Sequence, residues 1–174
     1  QSRPGPHTTN ERLFCTMNIA ITGATGFIGR YLVHQLASAG HHLRCWHRPS
    51  SDLGNFAAEP GQLEWIPGEL GNIESCHTLV ANCDAVIHAG LWRPGQQFRG
   101  GEGNLVQFTQ TNLIGTLQLI EAAREHLVPR FIFISTCAVH EVILPDRKLD
   151  ENHPLWPLSH YGAHKAALEK FVHS

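Results

Sequence analysis

The chain has 174 residues, a formal net charge of −2 at pH 7, 42% hydrophobic residues and 16% charged ones, the profile of one ordinary globular domain rather than of a disordered chain. Its 13 Lys and Arg are spread thinly, which argues against a nucleic-acid partner, and no apolar run approaches the ~20 residues of a membrane-spanning helix. The five cysteines, Cys15, Cys45, Cys76, Cys83 and Cys137, are odd in number and include no CxxC pair, so neither a disulfide framework nor a zinc ribbon is indicated and a reducing, cytoplasmic setting is expected.

The opening stretch, residues 1–16, is polar and rich in Pro, Gly and Thr. It reads as a disordered or appended tail with no apolar signal-peptide core, and Met17, the only methionine, marks the expected natural start. Four strand-length apolar runs follow, NIAIT (18–22), HLRCW (42–46), LEWIP (63–67) and DAVIH (84–88), and then a fifth, RFIFIS (130–135). The last two are continuous, as in strands covered on both faces of a parallel sheet. Helical patterns lie between them, clearest over 27–40, where Gly40 sits as a C-terminal cap, and over 105–127, where Leu117, Ile120 and Ala123 recur at helical spacing. This alternation predicts an α/β fold with a doubly wound parallel sheet (Rossmann) over 17–174. The irregular stretch 90–104 has the length of a loop that is either functional or disordered.

The first strand runs straight into GATGFIG. In such a turn Gly23 permits the tight bend, Gly26 lets a pyrophosphate approach the backbone and Gly29 lets helix and strand pack closely. The helix N-terminus supplies free N–H groups and a positive dipole end. Gly23, Thr25, Gly26, Phe27, Ile28 and Gly29 are therefore the candidate cradle for a dinucleotide. About 20 residues on, an acidic side chain selects NAD and a basic one NADP. Here the second strand ends in RCWHRPSS, with Arg48 and no carboxylate, so NADP is preferred and NAD stays admissible. A solvated loop cation is the alternative for Arg48, and His47 adds to the site or only stacks there.

With the glycine turn, DAVIHAG, NLIGT, FISTCAV and YGAHK all in order, the sequence resembles the extended branch of the short-chain dehydrogenase/reductase superfamily, the NAD-dependent epimerase/dehydratase-like proteins. The resemblance implies Thr136, Tyr161 and Lys165 as the catalytic set. It also implies cofactor contacts at His88, Ala89 and Gly90 after the fourth strand, an adenine contact at Glu69 and Leu70, a structural helical Asn112 beside the active site, and Lys165 on the nicotinamide ribose. Physically, Tyr161 and Lys165 stand at i and i+4 and share a helix face. A nearby ammonium and the positive nicotinamide ring would favour the phenolate, fitting Tyr161 as general acid/base with Thr136 orienting the same substrate oxygen. The alternative has Tyr161 as an ordinary aromatic and Lys165 paired with Glu169 on a solvated face.

His160 and His164 share the same spacing, but Tyr161 stands where a zinc protease has Glu and no third ligand is indicated, so no metal is expected. Cys137 and Ala138 occupy the places where family dehydratases carry an acidic pair, which argues against sugar-nucleotide dehydration. Arg93 or Arg99, in the loop after the fourth strand, is placed either to meet an anionic substrate group or to stand as a solvated cation of a mobile loop. Relatives of this branch continue into a substrate-covering domain, and the chain is expected to be the N-terminal part of a longer enzyme, inactive alone. The function expected is hydride transfer at a hydroxyl or carbonyl carbon of a small molecule, a nucleotide sugar or a related compound, by an oxidoreductase or epimerase, with a homodimer compatible. The other class is a non-catalytic, dinucleotide-binding redox sensor or interaction module.

Overall fold

The computed structural model describes residues 15–54, 56, 58, 61–95 and 101–174; residues 1–14 of the expected tail and Arg99 lie outside the described residues. In chain order the elements are β1 (Asn18–Thr22), α1 (Phe27–Ser38), β2 (His42–His47), β3 (Leu63–Pro67), α2 (Ile73–Val80), β4 (Ala85–His88), α3 (Leu105–Thr109), a π-helical turn (Gln110–Ile114), α4 (Gly115–Glu125), β5 (Phe131–Phe133), a 3₁₀ turn (Cys137–His140) and α5 (His160–His173). The five strands form one sheet in the order β3-β2-β1-β4-β5, and every neighbouring pair is parallel. No helix among the described residues is long and apolar enough to cross a membrane.

Alternation along β1 assigns its two faces. Ile19 and Ile21, with Leu43, Cys45, Ala85 and Ile87, pack against Val33 and Ala37 of α1. Ala20, with Trp46, Ile66 and Val86, packs against Cys76, Leu79 and Val80 of α2 and Leu119, Ala122 and Ala123 of α4. Helices thus cover both faces, as the doubly wound reading requires. Gly40 ends α1 at φ +86°, and His41 N–H to Leu36 O (3.1 Å) with Gly40 N–H to Ala37 O (2.9 Å) complete a Schellman cap.

Several expectations shift. β5 holds only Phe131–Phe133, lies last in the order among the described residues, and leaves Ile132 47% exposed. Asp84 stands outside β4, its carboxylate accepting from Asn18 N–H at 2.8 Å. The 105–127 helix is broken in phase by the π turn, so the line it buries is Thr116, Leu119, Ala122 and Ala123 rather than Leu117, Ile120 and Ala123. Helix α2 adds an element whose signal was present in Asn72, which caps it through Ser75 N–H at 3.0 Å.

One buried chain of hydrogen bonds joins β1, β4 and the helices. Gly90 N–H donates to Thr22 Oγ1 (3.0 Å), Thr22 Oγ1 meets His88 Nδ1 (2.5 Å), His88 Nε2 meets Thr116 Oγ1 (2.9 Å), and Thr116 donates to the Asn112 carbonyl (2.5 Å). Thr116 spends its proton on Asn112, so His88 Nε2 must donate to Thr116, and Nδ1 is left to accept from Thr22. His88 is therefore neutral, with its proton on Nε2. Burial first, and then the charges of Lys165 and His164, hold its pKa down at about 3.

That value lies below the ordinary 6.5, so in the interval the unfolded chain binds the extra proton, and stability that is full above pH 6.5 is lost as the pH falls. His164, held at about 4 mainly by burial, acts in the same direction. Urea denaturation between pH 7 and pH 5 is expected to show stability falling by up to about 1.4 kcal/mol per pH unit for each such histidine. His88→Gln should be less stable at pH 7 but have a shallower slope; equal slopes would refute the assignment.

Candidate active site

The cofactor side is built where β1 and β4 end side by side. Gly23 has φ +70°, and a Cβ there would lie 2.7 Å from the Ala89 carbonyl group, so the glycine turn rests directly on Ala89 and Gly90. At Gly29 a Cβ would lie 2.7 Å from the Ala24 backbone and strike the Gly23 carbonyl oxygen, the close helix–strand packing expected of the third glycine. At Gly26 the nearest atom to such a Cβ is the Gly23 oxygen at 3.2 Å. Crowding inside the chain is milder there. Gly26 caps α1 without a side chain and the first turn carries no acidic residue, so the positive helix end is left for an anion. Phe27 and Ile28 are exposed beside it, at 82% and 50%.

Arg30 fastens this turn to the loop after β2. Its guanidinium donates to Thr25 O (3.1 Å), Gly54 O (3.3 Å), Asp52 O (3.0 Å) and the Asp52 carboxylate (3.2 Å), and lies 4.8 Å over the Phe56 ring. Arg48 is exposed at the end of β2, its backbone held by Ser51 while His47 Nδ1 donates to its carbonyl. Asp52, an acid in the neighbouring loop, is already committed: Oδ1 accepts from Gly54 N–H and Oδ2 from Arg30, and these partners lower its pKa. Glu69 is exposed after β3, whereas the Leu70 side chain packs on the α2–α4 core.

Asn112, 1% exposed, clamps the loop after β4: Oδ1 accepts from Trp92 N–H (2.7 Å) and Nδ2 donates to Trp92 O (2.9 Å) and Phe108 O (3.1 Å). Arg93 belongs to the segment so held.

On the substrate side, Thr136 and Tyr161 line one open cavity of ≈ 570 Å³ together with Cys137, Ala138, His140, Glu141, Ile143 and Leu149. Thr136 caps the 3₁₀ turn, its Oγ1 accepting from Ala138 N–H at 3.2 Å. Lys165, one helical turn beyond Tyr161, points inward: it is 4% exposed, its Nζ donates to Ile134 O at 2.7 Å and lies 4.3 Å over the Phe133 ring. Burial pushes its pKa down to about 8, against the opposing pull of Glu169. The solvated Lys165–Glu169 pair does not form that face; the Glu169 carboxylate accepts from the Ser135 hydroxyl. Of the histidines flanking Tyr161, His160 is exposed and His164 turns against Phe108, ring centroids 5.3 Å apart.

Other contributors had weak sequence signals. Glu141 Oε2 accepts from Leu158 N–H, from Ser159 N–H (2.8 Å) and from Ser159 Oγ (3.1 Å) at the start of α5. At Gly162 a Cβ would collide with the Ala138 carbonyl oxygen and lie 2.9 Å from Pro157 Cβ, so α5 approaches the Thr136 turn more closely than any side chain allows. His153 Nε2 accepts from Leu144 N–H (3.1 Å) while its Nδ1 donates to Pro154 O (3.0 Å), and His140 Nδ1 meets the same carbonyl at 3.2 Å.

The family model described as "NAD dependent epimerase/dehydratase family" matches residues 19–174. Among curated relatives, the chain is 30% identical over 161 residues to the 4-hydroxy-2-methyl-3-oxo-4-farnesyl-3,4-dihydroquinoline-1-oxide ketoreductase of Stigmatella aurantiaca, covering 90% of this chain and 45% of that protein. It is 31% identical to dTDP-glucose 4,6-dehydratase of Streptomyces antibioticus, covering 88% of this chain and 47% of the relative. Among solved structures, UDP-glucose 4-epimerase of Thermus thermophilus in complex with NAD superimposes with a TM-score of 0.72 at 25% identity, over 90% of this chain and 50% of that one. The chain thus spans about half the length of the relatives it matches. The relatives' reactions differ, and by the match across nearly all of its length the chain belongs to the NAD dependent epimerase/dehydratase family.

Proposed function

We propose that the chain carries the cofactor-binding and acid/base machinery of an NADP-preferring oxidoreductase or epimerase acting at a hydroxyl or carbonyl carbon of a small molecule, a nucleotide sugar or a related compound. The observation that carries this reading is one cavity lined by both Thr136 and Tyr161, with the Lys165 ammonium held inward one turn along the same helix. When bound, the dinucleotide supplies the acceptor or donor of hydride. Tyr161 moves the proton of the substrate oxygen, Thr136 hydrogen-bonds and orients that oxygen, and Lys165 holds ribose hydroxyls and lends positive charge. The glycine turn and the uncapped start of α1 hold the pyrophosphate.

NADP preference rests on Arg48, exposed at the end of β2, and on Asp52 being tied to Arg30 and Gly54. A cytoplasmic setting belongs to the proposal, supported by the buried, unpaired thiols of Cys45, Cys76 and Cys83. A homodimer belongs to the proposal through the exposed Val106 and Ile114 along α3 and the π turn. The sensor reading has no use for a cavity that joins Thr136 to Tyr161.

Fluorescence titration should show NADPH binding tighter than NADH, and Arg48→Ser should cost NADPH about ten- to a hundredfold, the worth of a charge-assisted phosphate contact, while leaving NADH unchanged. Tighter NADH binding by the unaltered chain would overturn the preference. In the complete gene product, Tyr161→Phe should lower turnover by about 10²–10⁴ with cofactor affinity kept; unchanged biological output would favour the sensor. Lys165 is held near 8 against an ordinary 10.5, so the cost of burying its ammonium is full below pH 8 and relieved as the unfolded chain alone keeps the proton up to 10.5. Denaturation series should therefore show the unaltered chain gaining stability relative to Lys165→Met between pH 8 and pH 10, and parallel curves would contradict this.

A further inference from the structure

We propose that Glu141 is a positioning residue that sets the distance and angle between the two oxygen-handling side chains, Thr136 and Tyr161. The inference rests on the acid/base roles proposed for that pair. Thr136 stands at the start of the 3₁₀ turn Cys137–His140, and Glu141 follows that turn directly. Tyr161 stands in the first turn of α5, of which Ser159 is the N-cap. One carboxylate oxygen of Glu141 takes Leu158 N–H, Ser159 N–H and the Ser159 hydroxyl, joining residues 17 and 18 positions apart.

Three donors converging on one oxygen call for a carboxylate, because an ionised oxygen accepts more, and more strongly, than an amide or hydroxyl. Its negative charge also sits at the positive end of a 14-residue helix. The Ser159 hydroxyl uses both capacities: it donates to Glu141 and accepts from Gly162 N–H at 3.1 Å. Gly162 fixes the approach from the other side, against Ala138 O and Pro157. α5 is therefore pressed onto the Thr136 turn at Gly162 and drawn to it at Ser159.

Apart from His153, 3% exposed, the connecting segment does little of this work by burial. Ile143, Leu149 and Leu158 are 57%, 50% and 78% exposed. One backbone bond, Val142 N–H to Trp156 O at 3.3 Å, and the contact of His140 Nδ1 with Pro154 O at 3.2 Å run parallel to the Glu141 contacts. Loss of the carboxylate would thus free the start of α5 while Lys165, anchored deeper on Ile134, stays in place. The proton-transfer geometry would suffer and the cofactor site would not.

The test compares Glu141→Ala, Glu141→Gln and the unaltered complete gene product. Amide hydrogen exchange at Leu158–Ala163 should quicken at least tenfold in the alanine variant, with β1 and β4 unchanged and only part of the protection regained in the glutamine variant. With UDP-glucose and dTDP-glucose as probes, kcat should fall about tenfold to a hundredfold in the alanine variant, the effect of a small misplacement of reacting groups. KM and NADPH affinity should stay within twofold. Unchanged exchange in the alanine variant, or quickened exchange with unchanged kcat, overturns the proposal. If the unaltered protein turns over neither sugar, the substrate reading fails, and the exchange data still decide whether Glu141 holds α5.

Discussion

A buried ammonium group has to be answered on every side, and the arrangement of this site follows from how Lys165 is answered. Its proton-bearing face meets one backbone carbonyl, Ile134 O, and the face of one ring, Phe133. Both partners lie at the C-terminal end of β5, where Ile134 keeps its N–H on His88 O and gives its carbonyl to this side chain. The same charge bears on the next strand. His88 stacks on Phe133 with centroids 5.7 Å apart, and a second positive charge there would be repelled, which helps to keep the imidazole neutral and its threonine partners in fixed roles. One cation thus bears on the end of a strand and on how a buried hydrogen-bond chain is oriented.

The two halves of the site are made rigid by different means. On the cofactor side the backbone itself comes close, glycine against carbonyl, and Arg30 stitches the turn to the following loop with four hydrogen bonds to three residues. That suits a ligand whose phosphates are recognised by N–H groups rather than by side chains. On the substrate side the closeness exists only at Gly162, and the exposed segment between Glu141 and Ser159 is held by side-chain hydrogen bonds. Loops held in this way vary easily in sequence, which fits a family whose members range from a ketoreductase to a UDP-glucose 4-epimerase.

Much of this was legible in the sequence because it rests on local rules. The strand β1, the glycine turn and the i,i+4 pair of Tyr161 and Lys165 each need only a few consecutive residues, and they stand where the pattern put them. The parallel order of the sheet followed from alternation of strand and helix. What escaped depended on partners distant in the chain. Nothing near Glu141 says that it will meet Ser159, and nothing near Arg30 names Asp52. Glu169 is a plausible mate for Lys165 by spacing, yet the helix face turned inward and Ser135 reached the carboxylate first. The exposure of Ile132 in β5 likewise depends on what packs on that strand, which an apolar run does not announce.

The π turn at Gln110–Ile114 has a consequence of its own. Each residue of an α-helix advances the azimuth by about 100°, so a single extra residue in the turn lets α3 and α4 answer to two different clocks. The earlier half is timed to Trp92 and His164, through Asn112 and Phe108; the later half is timed to α2 and to the Leu70–Gly71 corner, against which Gly115 fits. A lineage that lost one residue here would keep its composition and its helix and still break the register between the loop after β4 and the core beneath it. This stretch therefore tolerates exchange of letters more readily than a change in their number.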